Sequence, residues 1–136
     1  MDEGMDKKDF GEFCGIIDTL LGENGCPWDK EQTHQSLVPH FLNEAQELVE
    51  AIEKNDSENL CEELGDILLH VVIMAKIAEK DGIFSLDDVI DGISQKMIRR
   101  HPHVFGNVEG IDIDNVMVQW EEIKRLEKAK NIKNAK

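Results

Sequence analysis

The chain has little of what several function classes require. It has no Tyr, only two Trp and five Phe among 136 residues, too few aromatics for the stacking platforms that hold single-stranded nucleic acid. Cations are scarce: 15 Lys and Arg stand against 29 Asp and Glu, a formal charge of −14 at pH 7. Nucleic-acid binding needs a basic footprint, so this balance argues against gripping a phosphate backbone unless a cation intervenes. Three cysteines, Cys14, Cys26 and Cys61, form no Cys-x-x-Cys pair and leave an odd thiol. That suits a reducing cytosol better than a disulfide scaffold. The longest apolar stretch, Ile67 to Ala78, contains His70 and Lys76 and is too short and too polar to cross a bilayer. The opening MDEGMDKKDF lacks the apolar core of a signal peptide. No Gly-rich phosphate loop of the GxxxxGK[ST] or GxGxxG type occurs. The expectation is a soluble, cytoplasmic protein that engages neither nucleic acid nor membrane.

What is present is helix-forming material. At 40% hydrophobic and 32% charged residues, a chain of this length can build one core, and one domain over 1–136 is expected. No run alternates apolar and polar as a half-buried strand would. Helical spacing predicts a first helix over about 9–21, ended by Gly22-Glu23-Asn24-Gly25, with Cys26-Pro27-Trp28-Asp29 as a loop. After a short turn near Thr33, a second helix runs from about Pro39 to Lys54, with the proline in its first turn. Its apolar residues, among them Leu42, Ala45, Val49 and Ile52, form a stripe centred on Ala45 and read as core. Asn55-Asp56-Ser57 turns the chain into a third helix over about 58–80. That helix is apolar nearly all round, which points to burial by a second subunit. A fourth helix spans about 86–100, opened by Ser85 with Asp88 in a capping box; residues 101–106 and those after them form a loop, and a fifth helix begins near Asp114. Residues 124–136 hold six of the Lys and Arg and one Glu, leaving nine cations against 28 acids in the rest.

The acids carry the chemical signal. Glu44 and Glu47 are spaced i, i+3 on the second helix, and Glu63 and Asp66 repeat that spacing on the third. Measured from each apolar stripe, the two pairs fall at the same place, about −100° and about −160°. A tight connection makes the helices an antiparallel hairpin, so the pairs can converge. Converging carboxylates repel unless a cation lies between them, and oxygen-only ligands select Mg²⁺, Mn²⁺ or Ca²⁺ over Zn²⁺. Equally, such spacings are common on solvated helix faces. Lys96 and Arg100 share a face at the end of the fourth helix, where they either complement the helix dipole or grip phosphate. Trp120 and Lys124 are likewise i, i+4: a core Trp beside a surface Lys, or an aromatic wall and a cation over a nucleotide. His70 follows Asp66 by one turn and reads as a structural polar contact.

Taken together, residues 25–37 (GCPWDKEQTHQSL), the two acid pairs, residues 96–106 (KMIRRHPHVFG) and the Trp120–Lys124 spacing resemble the MazG family of all-α nucleoside triphosphate pyrophosphohydrolases. The resemblance covers about residues 10–128, with 129–136 a basic tail. It implies an all-α helical bundle completed by oligomerisation. It also implies hydrolysis of nucleoside triphosphates between the α- and β-phosphates, giving a nucleoside monophosphate and pyrophosphate. Glu44, Glu47, Glu63 and Asp66 would be catalytic and hold Mg²⁺, with Mn²⁺ a substitute, while Lys96, Arg100, Trp120 and Lys124 would bind substrate. The family's EExxE reads Asn43-Glu44-Ala45-Gln46-Glu47 here, so a neutral amide stands where the family has its first Glu. Family members often carry two such domains in tandem, so one domain implies a homodimer or higher homo-oligomer. The competing expectations are a narrower dUTP/dCTP or phosphoribosyl-ATP pyrophosphohydrolase, and a non-catalytic nucleotide-binding helical module.

Overall fold

A computed structural model describes residues 7–106 and 112–134, with side chains to residue 130. The opening segment 1–6, part of the loop expected after His101 and the end of the basic tail therefore lie outside the described residues. Every regular element among the described residues is a helix: α1 Phe10–Leu21, α2 Pro27–Lys30, α3 His34–Glu53, α4 Ser57–Lys80, α5 Leu86–Arg100, α6 Pro102–Phe105 and α7 Ile113–Asn134. They fall into two compact units, one ending at Leu86 and the other starting at Asp87. Among the described residues, no helix is long and apolar enough to cross a membrane. Cys14, Cys26 and Cys61 are all free thiols.

Caps set the boundaries of the first unit. Asp9 accepts from the Glu12 amide at 2.8 Å while Glu12 accepts from the Asp9 amide at 3.1 Å, a reciprocal box that starts α1. Gly25 sits so close beneath the end of α1 that a Cβ there would lie 2.0 Å from the Leu20 carbonyl oxygen. The next amide, Cys26, donates to that same oxygen at 2.8 Å. Thr33 and Ser36 form a second reciprocal box, and His34 Nε2 bonds the Met74 carbonyl at 2.9 Å. These contacts start α3 at His34, five residues before the expected Pro39. The proline accordingly lies inside the helix, where it forgoes one backbone bond. Asn55, in the left-handed region at φ 53°, makes the three-residue turn into α4, which Asp56 caps at the Asn59 amide.

Two segments expected as loops are single helical turns, α2 and α6. In each the proline that reads as a stop signal occupies the first helical position. There its preset φ helps and its missing N–H costs nothing.

The α3–α4 hairpin is the body of the first unit. Its core comprises Leu37 and Ala51 of α3, Val72, Ile73, Ala75 and Ala78 of α4, Ile17 of α1 and Leu86. Helix α1 packs on α4, and the half-buried Lys76 meets Asp18 at 3.0 Å. The stripe expected as core lies elsewhere. Leu42 is 61% exposed, and Val49, Ile52, Leu64, Leu68 and Val71 are exposed as well. A two-helix hairpin hides only the sides that face each other, and in this chain those sides carry Ala51, Leu37 and an acid, Glu63. In the second unit, α5 and α7 are joined by the carboxylate of Glu127 on α7, which takes both Arg99 and Arg100 of α5. Helix α7 is capped by Asp112, which accepts from the Asn115 amide at 3.0 Å.

Candidate active site

The hairpin brings three of the four acids together. One oxygen each from Glu44 on α3 and Glu63 and Asp66 on α4 lie within 4.8 Å of one another. Glu63 is 6% exposed, and the other two are half-buried. Glu44 Oε2 and Glu63 Oε1 are buried without a hydrogen-bond partner. Orphaned buried carboxylate oxygens are costly unless something completes them.

Electrostatics says the same. Burial pushes the Glu63 carboxyl up from 4.5 to about 8, helped by hydrogen bonding with Glu44 and Asp66 and by the charges of Glu47 and Glu44. Glu44 is also raised, first by burial and then by the charges of Asp66 and Glu47, against an opposing hydrogen bond with Glu63. Without a cation, then, the surroundings of Glu63 favour its protonated form at neutral pH. An all-carboxylate donor set with buried unsatisfied oxygens fits a hard divalent cation, which would replace that proton.

Glu47 stands outside the trio. Its Oε1 accepts from Asn43 Nδ2 at 3.3 Å, yet its charge still raises both Glu44 and Glu63. Asn43 is thus a neutral tether for Glu47. His70 is buried one turn beyond Asp66, edge-on to Phe41 with ring centroids 6.0 Å apart. Burial lowers its pKa, the charge of His40 adds to that and Asp66 opposes it, so the ring is neutral beside the acids.

The other expected site residues lie in the second unit. The Arg100 guanidinium is 5.5 Å from the centre of the Trp120 ring, whose other neighbour is His101 at 5.2 Å, edge-on. Arg100 gives Glu127 Oε1 two bonds, Nη2 at 2.8 Å and Nε at 3.2 Å. Lys96 lines a cleft of about 570 Å³ with Arg99, Arg100, Glu127 and Lys130. Lys124 is exposed and lines a different groove on α7, beside Glu121 and Lys128. Sequence reasoning missed Glu127. Its one visible signal is that it is the sole acid among the six cations of residues 124–136.

Residues 32–105 match the family model of the MazG nucleotide pyrophosphohydrolase domain. The chain is 53% identical over 120 residues to the uncharacterized protein YabN of Bacillus subtilis, covering 88% of this chain and 24% of that one. It is 46% identical over 121 residues to the nucleoside triphosphate pyrophosphohydrolase/pyrophosphatase MazG of Thermotoga maritima, covering 89% and 46%. With the nucleoside triphosphate pyrophosphohydrolase of Escherichia coli K12 it shares 42% over 113 residues, covering 83% and 43%. The chain therefore spans less than half the length of these curated relatives. Its fold is similar to the crystal structure of a mazG-related protein from Thermotoga maritima, with a TM-score of 0.73 and 30% identity over 85% of this chain and 98% of that one.

Proposed function

The chain belongs to the MazG nucleotide pyrophosphohydrolase family, and on that premise we propose that it hydrolyses nucleoside triphosphates between the α- and β-phosphates in the presence of Mg²⁺. The observation that carries this reading is the Glu44–Glu63–Asp66 trio with its buried, unpartnered oxygens. Those three carboxylates would hold the metal. Once bound, the ion supplies charge neutralisation for the triphosphate and polarises a phosphoryl oxygen. Mn²⁺ satisfies the same oxygen donors.

The chain's own residues account for the remaining steps. Glu47 is not engaged in the trio, and its Oε1 is steadied by Asn43. It is the carboxylate we assign to receive the proton of the attacking water. Lys96 and Arg100 would be the cations for the phosphates and Trp120, against Arg100, a wall for the nucleotide, while Lys124 would have to reach the nucleotide from its separate groove. Fixed cations compensate charge as it builds on the phosphates. A neutral His70 beside Asp66 leaves the acids free of an internal counter-ion. The cytosol is the compartment that free thiols favour.

The exposed apolar stripes of α3 and α4 support a homodimer, since an isologous pairing of the two hairpins would bury both. Asn43, in place of the family's first Glu, keeps a second reading open: a helical module that binds nucleotide without turnover.

Product analysis over a panel of NTPs and dNTPs with Mg²⁺ or Mn²⁺ tests the proposal. Monophosphate plus pyrophosphate is the expected outcome, and the relative rates rank the bases. Nucleotide binding with no turnover across the panel would replace it by the module.

A further inference from the structure

The cationic cleft of the second unit contains a carboxylate that the proposed chemistry does not use. Glu127 reaches from α7 to α5 and divides its oxygens between two arginines: Oε1 takes Arg100 and Oε2 takes Arg99 Nε. Its side chain is 17% exposed and that of Arg100 is 13%. Arg100 offers Glu127 its Nε–Nη2 edge, which leaves Nη1 out of the contact, and its guanidinium also lies against Trp120. A long side chain with many rotamers is therefore pinned on two sides. Lys96 and Lys130 line the same cleft, so four cations surround one carboxylate and the cleft stays positive in a chain of net −14.

We propose that Glu127 is a positioning residue for phosphate recognition: it locks Arg99 and Arg100 in one arrangement and makes Arg99 part of the anion site. The inference rests on the part of the proposed function that makes Lys96 and Arg100 the phosphate-binding cations. The physical reason is preorganisation. A guanidinium already fixed by a carboxylate and an indole loses little freedom when an anion arrives, whereas a loose one must be ordered at that moment. Arg99, half-exposed at 49%, has no indole against it and depends on Glu127 for its orientation.

The test is binding of inorganic pyrophosphate to the full chain without divalent metal, read by calorimetry or tryptophan fluorescence. Leaving out the metal keeps the carboxylate trio out of the measurement. Charge alone predicts that Glu127→Gln binds more tightly, because the variant makes the cleft more positive. Positioning predicts the reverse, a loss of affinity of roughly tenfold or more. In turnover it predicts a KM for the nucleotide raised by a similar factor with kcat within about threefold. Tighter or unchanged pyrophosphate binding by Glu127→Gln overturns the proposal.

Should that variant not fold by circular dichroism, Arg99→Gln reads the same contact from a half-exposed position. A loss of about threefold is expected, and no change overturns the proposal. Wild-type protein that binds no pyrophosphate also overturns it, even if nucleotides are hydrolysed. Pyrophosphate binding that is weakened by Glu127→Gln, in a protein that turns over no nucleotide, would leave this proposal standing and remove the hydrolase reading.

Discussion

Glu63 is a carboxylic acid whose surroundings all oppose its charge. It is buried among Glu44, Asp66 and Glu47, and its pKa of about 8 stands well above the ordinary 4.5. Below pH 4.5 the folded and unfolded chains both hold the proton. Between 4.5 and about 8 only the folded protein keeps it, so stability falls as pH rises through that window. The melting temperature of metal-free protein is expected to drop between pH 5.5 and 8. Mg²⁺ should flatten the slope, and Mg²⁺ affinity should climb over the same range because binding displaces the proton. Glu63→Gln is expected to flatten most of the pH slope, with a remainder from the raised Glu44, and to lower turnover by roughly two orders of magnitude with metal affinity falling alongside. Glu47→Gln should cut kcat by roughly 10²–10⁴-fold while calorimetry shows Mg²⁺ affinity changed far less. The four acids were legible as two i, i+3 pairs on adjacent helices, because helical periodicity fixes which side a residue takes. The separation of Glu47 from the trio was not legible, because spacing places a residue on a helix face without fixing its side-chain rotamer or its partner, here Asn43. Nor was the role of Glu127, whose partners lie 27 and 28 residues away and follow no local period.

At the scale of elements, the hairpin that presents the acids depends on its caps. Thr33 and Ser36 bond each other's backbone amides, and Thr33→Ala is expected to cost about 1 kcal/mol of unfolding free energy, measured by urea titration. Gly25→Ala should cost more than that, because the added methyl meets the Leu20 carbonyl oxygen and the backbone must shift. The start of α3 shows where local reading runs out. Pro39 suggests a first-turn proline, yet the Thr33 box and the His34–Met74 bond carry the helix five residues upstream. The second of those contacts spans 40 residues and leaves no trace in local sequence. Helix α5 was legible end to end, from Leu86 to Arg100, because proline stops it cleanly. The apolar stripes were legible as stripes. What covers them was not, because periodicity says that a face is apolar without saying which surface meets it.

At the scale of the molecule, the first unit carries an acidic hairpin with an exposed apolar face and the second unit carries a cationic cleft. Leu42 on α3 and Leu64 on α4, 61% and 52% exposed, lie on the face assigned to a second copy. Sedimentation equilibrium is expected to show a dimer, and Leu64→Glu to shift it toward monomer. A wild-type monomer at micromolar concentration would remove the dimer from the account. The central claim is the bond cleaved and the carboxylates that make cleavage possible. ³¹P NMR of a Mg²⁺–nucleoside triphosphate incubated with the protein tests it most directly. The account predicts that the three triphosphate resonances give way to nucleoside monophosphate and pyrophosphate, and that Glu63→Gln leaves them nearly unchanged. Diphosphate with inorganic phosphate, or undiminished turnover by Glu63→Gln, would contradict it.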